Sequence, residues 1–304
     1  MTQKLHKIKK PNIKAFSLVE ISVVILIIGI LIVGISSGAD LYNDMRLTNA
    51  KNLTLNSRVG RISDLTFWVE TTLDRTIVNS SGKFNLSDGN SISAWNDVNQ
   101  QSLNRISLSQ ATSANQPTYK ASGINGIPSI SFNGSQNLLS SITPIFASDK
   151  EYTLIAVWRT NNGSSTFGQI ILSQSNNTTS ANDLGSLFIG TNASFGFAGN
   201  NNDYLPVTAS ANTNYISIAT INNNLTSNNI SLYINSNTPS TGSTSAPASL
   251  NLGAQKFSVG SRIDSLQFFN GLISEIIIFD KVLNSAEIKS INLYLQTKYS
   301  IKVS

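Results

Sequence analysis

The longest apolar run in the chain, Phe16 to Ile35, reads FSLVEISVVILIIGILIVGI and holds a single charge, Glu20. As a helix its twenty residues reach about 30 Å, the depth of a bilayer's hydrocarbon core. From Ala39 the pattern turns amphipathic, with Leu41, Met45, Thr48, Leu53 and Leu55 set against Asp40, Asp44, Arg46, Lys51 and Arg58. That spacing predicts the same helix continuing with one face packed on a globular part, from Phe16 to around Ser57–Ile62, with Gly60 near its end. After Asp64 short runs of Ile, Val, Phe, Tyr and Trp alternate with Asn/Ser/Gly/Thr clusters. Strands are expected at Leu65–Glu70, Ser91–Trp95, Ser129–Asn133, Tyr152–Thr160, Gly168–Ser173, Ser186–Ile189, Ser194–Ala198, Tyr215–Asn222, Ile230–Asn235, Lys256–Gly260 and Gly271–Phe279. Turn signals include Asn125-Gly126 and Asn133-Gly134. Tyr152–Thr160 is largely apolar on both of its faces, as in a strand inside a two-sheet stack. Asn284-Ser285-Ala286-Glu287 forms a capping-box sequence before Ile288, Ile291 and Leu295, assisted by Leu293 and Tyr294, and predicts a short C-terminal helix. The fold class is therefore mainly β: a long N-terminal α-helix, then an antiparallel β-sandwich and a short C-terminal helix.

Composition narrows the chemistry. The 304 residues contain no Cys and one His. This excludes a disulfide scaffold, thiolate metal sites and thiol catalysis, and argues against a Ser-His-Asp triad. The net charge of +5 is confined to one place. Lys4, Lys7, Lys9, Lys10 and Lys14 lie in the first fifteen residues with no acid, and the other 16 basic residues balance 16 acids. A basic stretch before an apolar run is the cytoplasmic flank of a membrane segment. The charge thus implies no nucleic-acid partner.

Glu20 would cost about 2.5–3.5 kcal/mol at a bilayer's centre, so it reads as functional. Lys14-Ala15-Phe16-Ser17-Leu18-Val19-Glu20 and the Val/Ile/Leu run after it resemble the class III signal of type IV prepilins and pseudopilins. The resemblance implies that a prepilin peptidase cuts between Ala15 and Phe16 and methylates the new amine of Phe16. It further implies that Glu20 pairs with that amine in a neighbouring subunit during assembly. The family usually carries Gly before the cut, where this chain has Ala15. Many major pilins also have a proline further along the helix, and none occurs here between Pro11 and Pro117.

A second resemblance covers roughly residues 65–304. Trp95-Asn96-Asp97, Gln116-Pro117-Thr118-Tyr119, Asn125-Gly126-Ile127-Pro128 through Asn133-Gly134, the Tyr152–Thr160 run, Phe269-Asn270-Gly271 through Phe279, and Leu283, Glu287, Ile291, Tyr294 and Tyr299 occur in this order. The ordered set resembles concanavalin A-like, laminin-G-like jelly-roll domains, which implies two antiparallel sheets and a lectin-type architecture. That superfamily holds lectins and glucanases alike. Retaining hydrolysis needs two carboxylates about 5–5.5 Å apart. Glu275 and Asp280 are an odd number of residues apart and so face opposite ways on a strand, while a strand end separates Glu70 from Asp74. The expectation is therefore no catalytic residue and no enzyme. Asp88, Asn90, Asp97, Asp183 and Asp203 fall in loops without a contiguous D-x-D-x-D-G, so no metal ligand and no cofactor is assigned, with calcium left open. Trp68, Trp95 and Trp158 are expected in the core, and Tyr204 on an exposed loop.

These readings divide the chain into a cleaved basic leader (1–15), a pilin-like helix (16–62, with 16–35 in the membrane) and a concanavalin A-like sandwich (63–304). The expected function is a minor subunit of a type IV pilus or type II secretion pseudopilus displaying a lectin-like domain for adhesion. The alternative is a membrane-anchored carbohydrate-binding adhesin outside any filament. The expected partners are the prepilin peptidase, other pilin or pseudopilin subunits, the bacterial inner membrane and glycans.

Overall fold

The structure is a computed structural model that describes residues 17–141, 145–146, 151–175, 184–199, 203–222, 224–225, 227–242, 252, 257–264 and 266–304, the side chains at 35–37 and 39–40 excepted. The chain forms two compact units, Met1–Met45 and Arg46–Ser304. Helix α1 (Leu18–Leu55) contributes to both. Among the described residues no helix is long and apolar enough to cross a membrane. Within the apolar run the described side chains end at Gly34, and Phe16 lies outside the described residues.

The strands are β1 (Leu65–Glu70), β2 (Ile77–Asn79), β3 (Ile92–Asn96), β4 (Ser107–Ser109), β5 (Thr118–Ile124), β6 (Ile127–Asn133), β7 (Leu138–Ser140), β8 (Glu151–Thr160) and β9 (Gln169–Ser175). They continue as β10 (Leu184–Ile189), β11 (Ser194–Ala198), β12 (Asp203–Thr208), β13 (Asn214–Asn222), β14 (Ile230–Ile234), β15 (Ser240–Gly242), β16 (Ser258–Val259) and β17 (Asn270–Phe279), and helix α2 (Ser285–Tyr299) closes the chain. One sheet runs β15-β14-β13-β8-β17-β6-β5, with β1 also paired to β17; the other runs β12-β11-β10-β9-β16-β7-β4-β3-β2. The edge of β17 is shared end to end, Asn270–Ile273 against β6 and Glu275–Phe279 against β1. Asn125 and Gly126 both take positive φ (47° and 77°), which a two-residue hairpin demands, and they join β5 to β6.

The apolar faces of β8 find two different partners. Tyr152, Leu154, Ala156 and Trp158 enter the core between the sheets, beside Phe195, Phe197, Phe257 and Phe269. Ile155 and Val157 point the other way, into a second cluster built with α2 and the end of α1: Ala50, Ile288, Ile291, Tyr294 and Leu295. The second face is thus covered by helices and not by another sheet. Trp95 and Trp158 are in the first cluster and Trp68 is in the second, all buried.

The capping box forms as its spacing predicts: Asn284 Oδ1 accepts from Ala286 and Glu287 N–H, and Glu287 Oε2 accepts from Asn284 N–H at 2.9 Å. Leu293 departs from expectation and stands 60% exposed. The packed face of α1 also differs. Ala50 and Thr54 are buried and Leu53 is partly so, whereas Leu41, Met45 and Leu55 are exposed. A small residue at 50 and a hydroxyl at 54 meet the domain because the contact there is partly polar.

Candidate functional site

Two places collect the chemistry-bearing side chains. The first is the start of α1. Ser17 N–H donates to Glu20 Oε2 at 2.8 Å, and Glu20 N–H donates to Ser17 Oγ at 3.2 Å. This reciprocal pair has the capping-box geometry, satisfying two N–H groups that a helix start leaves open. Ala15 and Phe16, the residues expected to flank the peptidase cut, lie outside the described residues.

The second is a buried ionic cluster beneath α2. Glu70 in β1 and Glu275 in β17 are cross-strand partners, and Lys298 of α2 bridges them with Nζ 2.9 Å from Glu70 Oε2 and 2.9 Å from Glu275 Oε2. Every side chain in this trio is fully buried. Glu275 accepts from Trp68 Nε1 and Tyr294 Oη at 2.8 Å, and from Tyr299 Oη at 2.9 Å. Glu70 accepts from the N–H and hydroxyl of Thr72 and from Leu73 N–H. Both carboxylates are therefore saturated with donors, the condition for keeping them charged in a core. Burial pushes Glu70 up, but Lys298 and the hydrogen bonds outweigh it, and the group titrates below its ordinary range. Burial lowers Lys298, and Glu275 and Glu70 outweigh that, so it titrates above its ordinary value. Burial first and Glu275 next push Tyr294 and Tyr299 well up. Thr54 of α1 joins the ring, 3.1 Å from Tyr294 Oη and 3.4 Å from Thr72 Oγ1.

Offsets along a single strand could not reveal this pair, because its members are 205 positions apart and meet only through register. A signal existed nonetheless: Glu275 interrupts LISEIII, and Lys298 sits between Leu295 and Tyr299 on the buried face of its helix. The intrastrand candidates do not assemble. Asp74 pairs with Lys51 at 2.7 Å, and Asp280 donates its backbone N–H to Asp64 O.

The loop acids serve the backbone. Asp97 Oδ1 accepts from Trp68 N–H (3.0 Å) and Asn99 N–H (2.8 Å), and burial raises its pKa despite these bonds. Asp88 holds Lys120 at 2.8 Å and Ala121 N–H at 2.7 Å; the Lys120 hydrogen bond draws its pKa down. Asp203 departs from the expected loop position: it is the first residue of β12, and its Oδ1 accepts from Gly199 N–H. Asp183 lies outside the described residues. Among the described residues no three His, Cys, Asp or Glu side chains gather as a metal site, and no cofactor is indicated. Tyr204 is not on an exposed loop: it lies in β12, half-buried, its ring 2.0 Å from where a Cβ on Gly242 would be.

Comparison with known proteins bears on both places. The prokaryotic N-terminal methylation motif matches residues 10–36. A search of curated proteins finds no match. Among solved structures, a sialidase from Trypanosoma rangeli in complex with sialic acid aligns with TM-score 0.52 at 15% identity, over 80% of this chain and 34% of that one. A mutant GH54 α-L-arabinofuranosidase soaked with 4-nitrophenyl α-L-arabinofuranoside aligns with TM-score 0.56 at 11% identity, over 77% of this chain and 63% of that one. The chain spans about a third of the length of the sialidases it matches. These neighbours correct the expectation that the chain is not an enzyme. The sandwich is a fold that glycoside hydrolases carry, so the spacing of carboxylates along single strands does not exclude an enzyme. The concanavalin A-like lectin/glucanases superfamily matches residues 132–289, just over half of the chain, and the protein belongs to that superfamily.

Proposed function

We propose that the chain is a minor, prepilin-like subunit of a type IV pilus or type II secretion pseudopilus whose sandwich binds carbohydrate. The observation that carries this reading is the methylation motif at residues 10–36, in one chain with a concanavalin A-like domain at residues 132–289. In this reading residues 1–15 are a cytoplasmic leader, and residues 16–35 lie in the bacterial inner membrane with the sandwich, residues 63–304, on the far side. A prepilin peptidase cuts between Ala15 and Phe16 and methylates Phe16. Glu20 then pairs with the amine of a neighbouring subunit, since a charge left alone among apolar helices is costly.

Two further observations support it. The large apolar side chains from Leu18 to Val33 are about half exposed or more, a surface that calls for lipid or neighbouring helices. The sandwich is also bulky for a thin filament and would crowd every position, which favours a minor or tip-proximal place. Intact-mass and N-terminal sequencing of the cell-extracted protein tests the reading. An N-methylated Phe16 start is expected; a retained leader would leave a membrane-anchored adhesin and remove the filament.

A further inference from the structure

Three apolar side chains stand on neighbouring segments at one end of the sandwich, outside its core. Phe167, between β8 and β9, is 74% exposed, and Leu266, between β16 and β17, is 52% exposed. Phe188 in β10 is half-buried. Its neighbours Leu187 and Ile189 point into the core, so its ring leaves the sheet on the opposite side. A Cβ on Gly168 would lie 2.3 Å from the Phe188 ring, which places that ring against the backbone next to Phe167. Gln267 ties the two loops together: its Nε2 donates to Phe167 O at 3.0 Å, and its own carbonyl accepts from Ile170 N–H at 2.9 Å.

The loops are built to hold this exposure. Gln169 Nε2 and Thr160 Oγ1 both donate to Asn162 O, at 2.7 and 2.6 Å, and Asn161 Nδ2 donates to Asn270 Oδ1 at 2.9 Å. Arg262 N–H donates to Leu266 O at 3.0 Å, and its guanidinium grips Asp264 at 2.8 and 2.9 Å. Gln267 is held at φ 53°, a left-handed conformation uncommon for a residue with a side chain. On the same two loops, Ser165 Oγ and Gln267 Oε1 are buried without a partner among the described residues.

We propose that Phe167, Phe188 and Leu266 form a stacking platform for the C–H face of a neutral sugar ring. The proposal rests on the carbohydrate-binding reading above and gives it a place. A preformed aromatic surface carries little ordering cost, and it suits a ligand that is apolar on one face and hydroxyl-rich at its edge. The two loops carry one cation and one anion, Arg262 and Asp264, which pair with each other, so neither loop offers a free cation to an acidic ligand. The exposed apolar area is a few side chains, well short of the roughly 1,000 Å² that a stable protein interface needs.

The test is an array of neutral and acidic oligosaccharides probed with the full chain in detergent, as wild type, Phe167→Ala, Phe167→Trp and Phe84→Ala. Phe84 is a second exposed ring, between β2 and β3, and serves as the control. Wild type should bind a neutral sugar. Phe167→Ala should bind about tenfold more weakly, with Phe167→Trp and Phe84→Ala near wild type and all four melting alike. Undiminished binding by Phe167→Ala overturns the platform and leaves the carbohydrate-binding reading standing. Absence of binding by wild type overturns both. Binding confined to acidic sugars overturns the platform, as does an assembly defect of Phe167→Ala with sugar binding intact, which would make the tip a protein contact.

Discussion

Glu20 and Glu275 both interrupt runs of Val, Ile and Leu, yet their surroundings differ. Glu275 accepts four hydrogen bonds from Trp68, Tyr294, Lys298 and Tyr299, all inside the domain. Glu20 is exposed, and its carboxylate accepts one described hydrogen bond, from the N–H of Ser17 three residues away. A carboxylate buried on folding must find every donor within the chain, because no water or neighbour will arrive later. A carboxylate meant for an assembled state can remain partly unspent. In the proposed reading the two glutamates separate what the chain completes alone from what it leaves to a neighbouring subunit.

Removing Lys298 strikes the completed side hardest. Lys298→Met leaves Glu70 and Glu275 facing each other in the core and should cost about 3–5 kcal/mol in denaturant unfolding. The pH profile should change with it. In wild type the lowered pKa of Glu70 contributes stability that is present above the ordinary carboxylate range and lost as pH falls through the lowered value. The raised pKa of Lys298 contributes stability that is lost only as pH rises through that raised value. The cluster is thus nearly pH-independent from about pH 5 to 9. In Lys298→Met, Glu70 keeps its burial and loses the charge that offsets it, so stability should fall as pH rises through that same window. A flat profile in the variant would mean that the lysine is not what keeps the two charges in place.

Glu20 should behave in the opposite way. Glu20→Gln preserves the capping geometry, since Gln also serves at this position, but it removes the charge. Glu20→Ala removes both. Either variant should leave the melting of the sandwich unchanged while reducing filament incorporation, read by pelleting and immunoblot of sheared cells. Wild-type incorporation of Glu20→Gln would assign Glu20 to capping alone and remove its intersubunit role.

The same division explains what could be read from the sequence. Strands buried on both faces were legible: β1, β8, β11 and β17 follow their apolar runs closely. Two of the missed strands, β5 and β12, bury little. In β5, Lys120, Ala121 and Ser122 are exposed, and β12 carries Pro206 with exposed Asp203 and Thr208; edge strands like these are held by backbone bonds that leave no alternation. The capping box before α2 is local chemistry and was read correctly. The ionic cluster was not, because strand register places Glu70 opposite Glu275, just as the register of β9 against β10 brings Phe188 beside Gly168. Local spacing carries caps and turns, whereas sites assembled from distant strands need the fold first.

The smallest expected effect contrasts two buried phenols. Tyr294 donates to Glu275 and contacts Thr54, whereas Tyr152, in the core beside Phe146 and Phe197, has a hydroxyl with no partner among the described residues. Burial alone pushes the Tyr152 phenol far up, consistent with a group that receives no compensation. Removing a satisfied hydroxyl costs about 1–3 kcal/mol when it strands a charged acceptor, while removing an unsatisfied one relieves a desolvation penalty. Tyr294→Phe should therefore lower the unfolding midpoint, and Tyr152→Phe should leave it unchanged or raise it slightly, by up to about 1 kcal/mol. If Tyr152→Phe instead destabilised as much as Tyr294→Phe, the Tyr152 hydroxyl would have to be anchored by a segment outside the described residues. Saturation by donors would then no longer distinguish the cluster from the rest of the core.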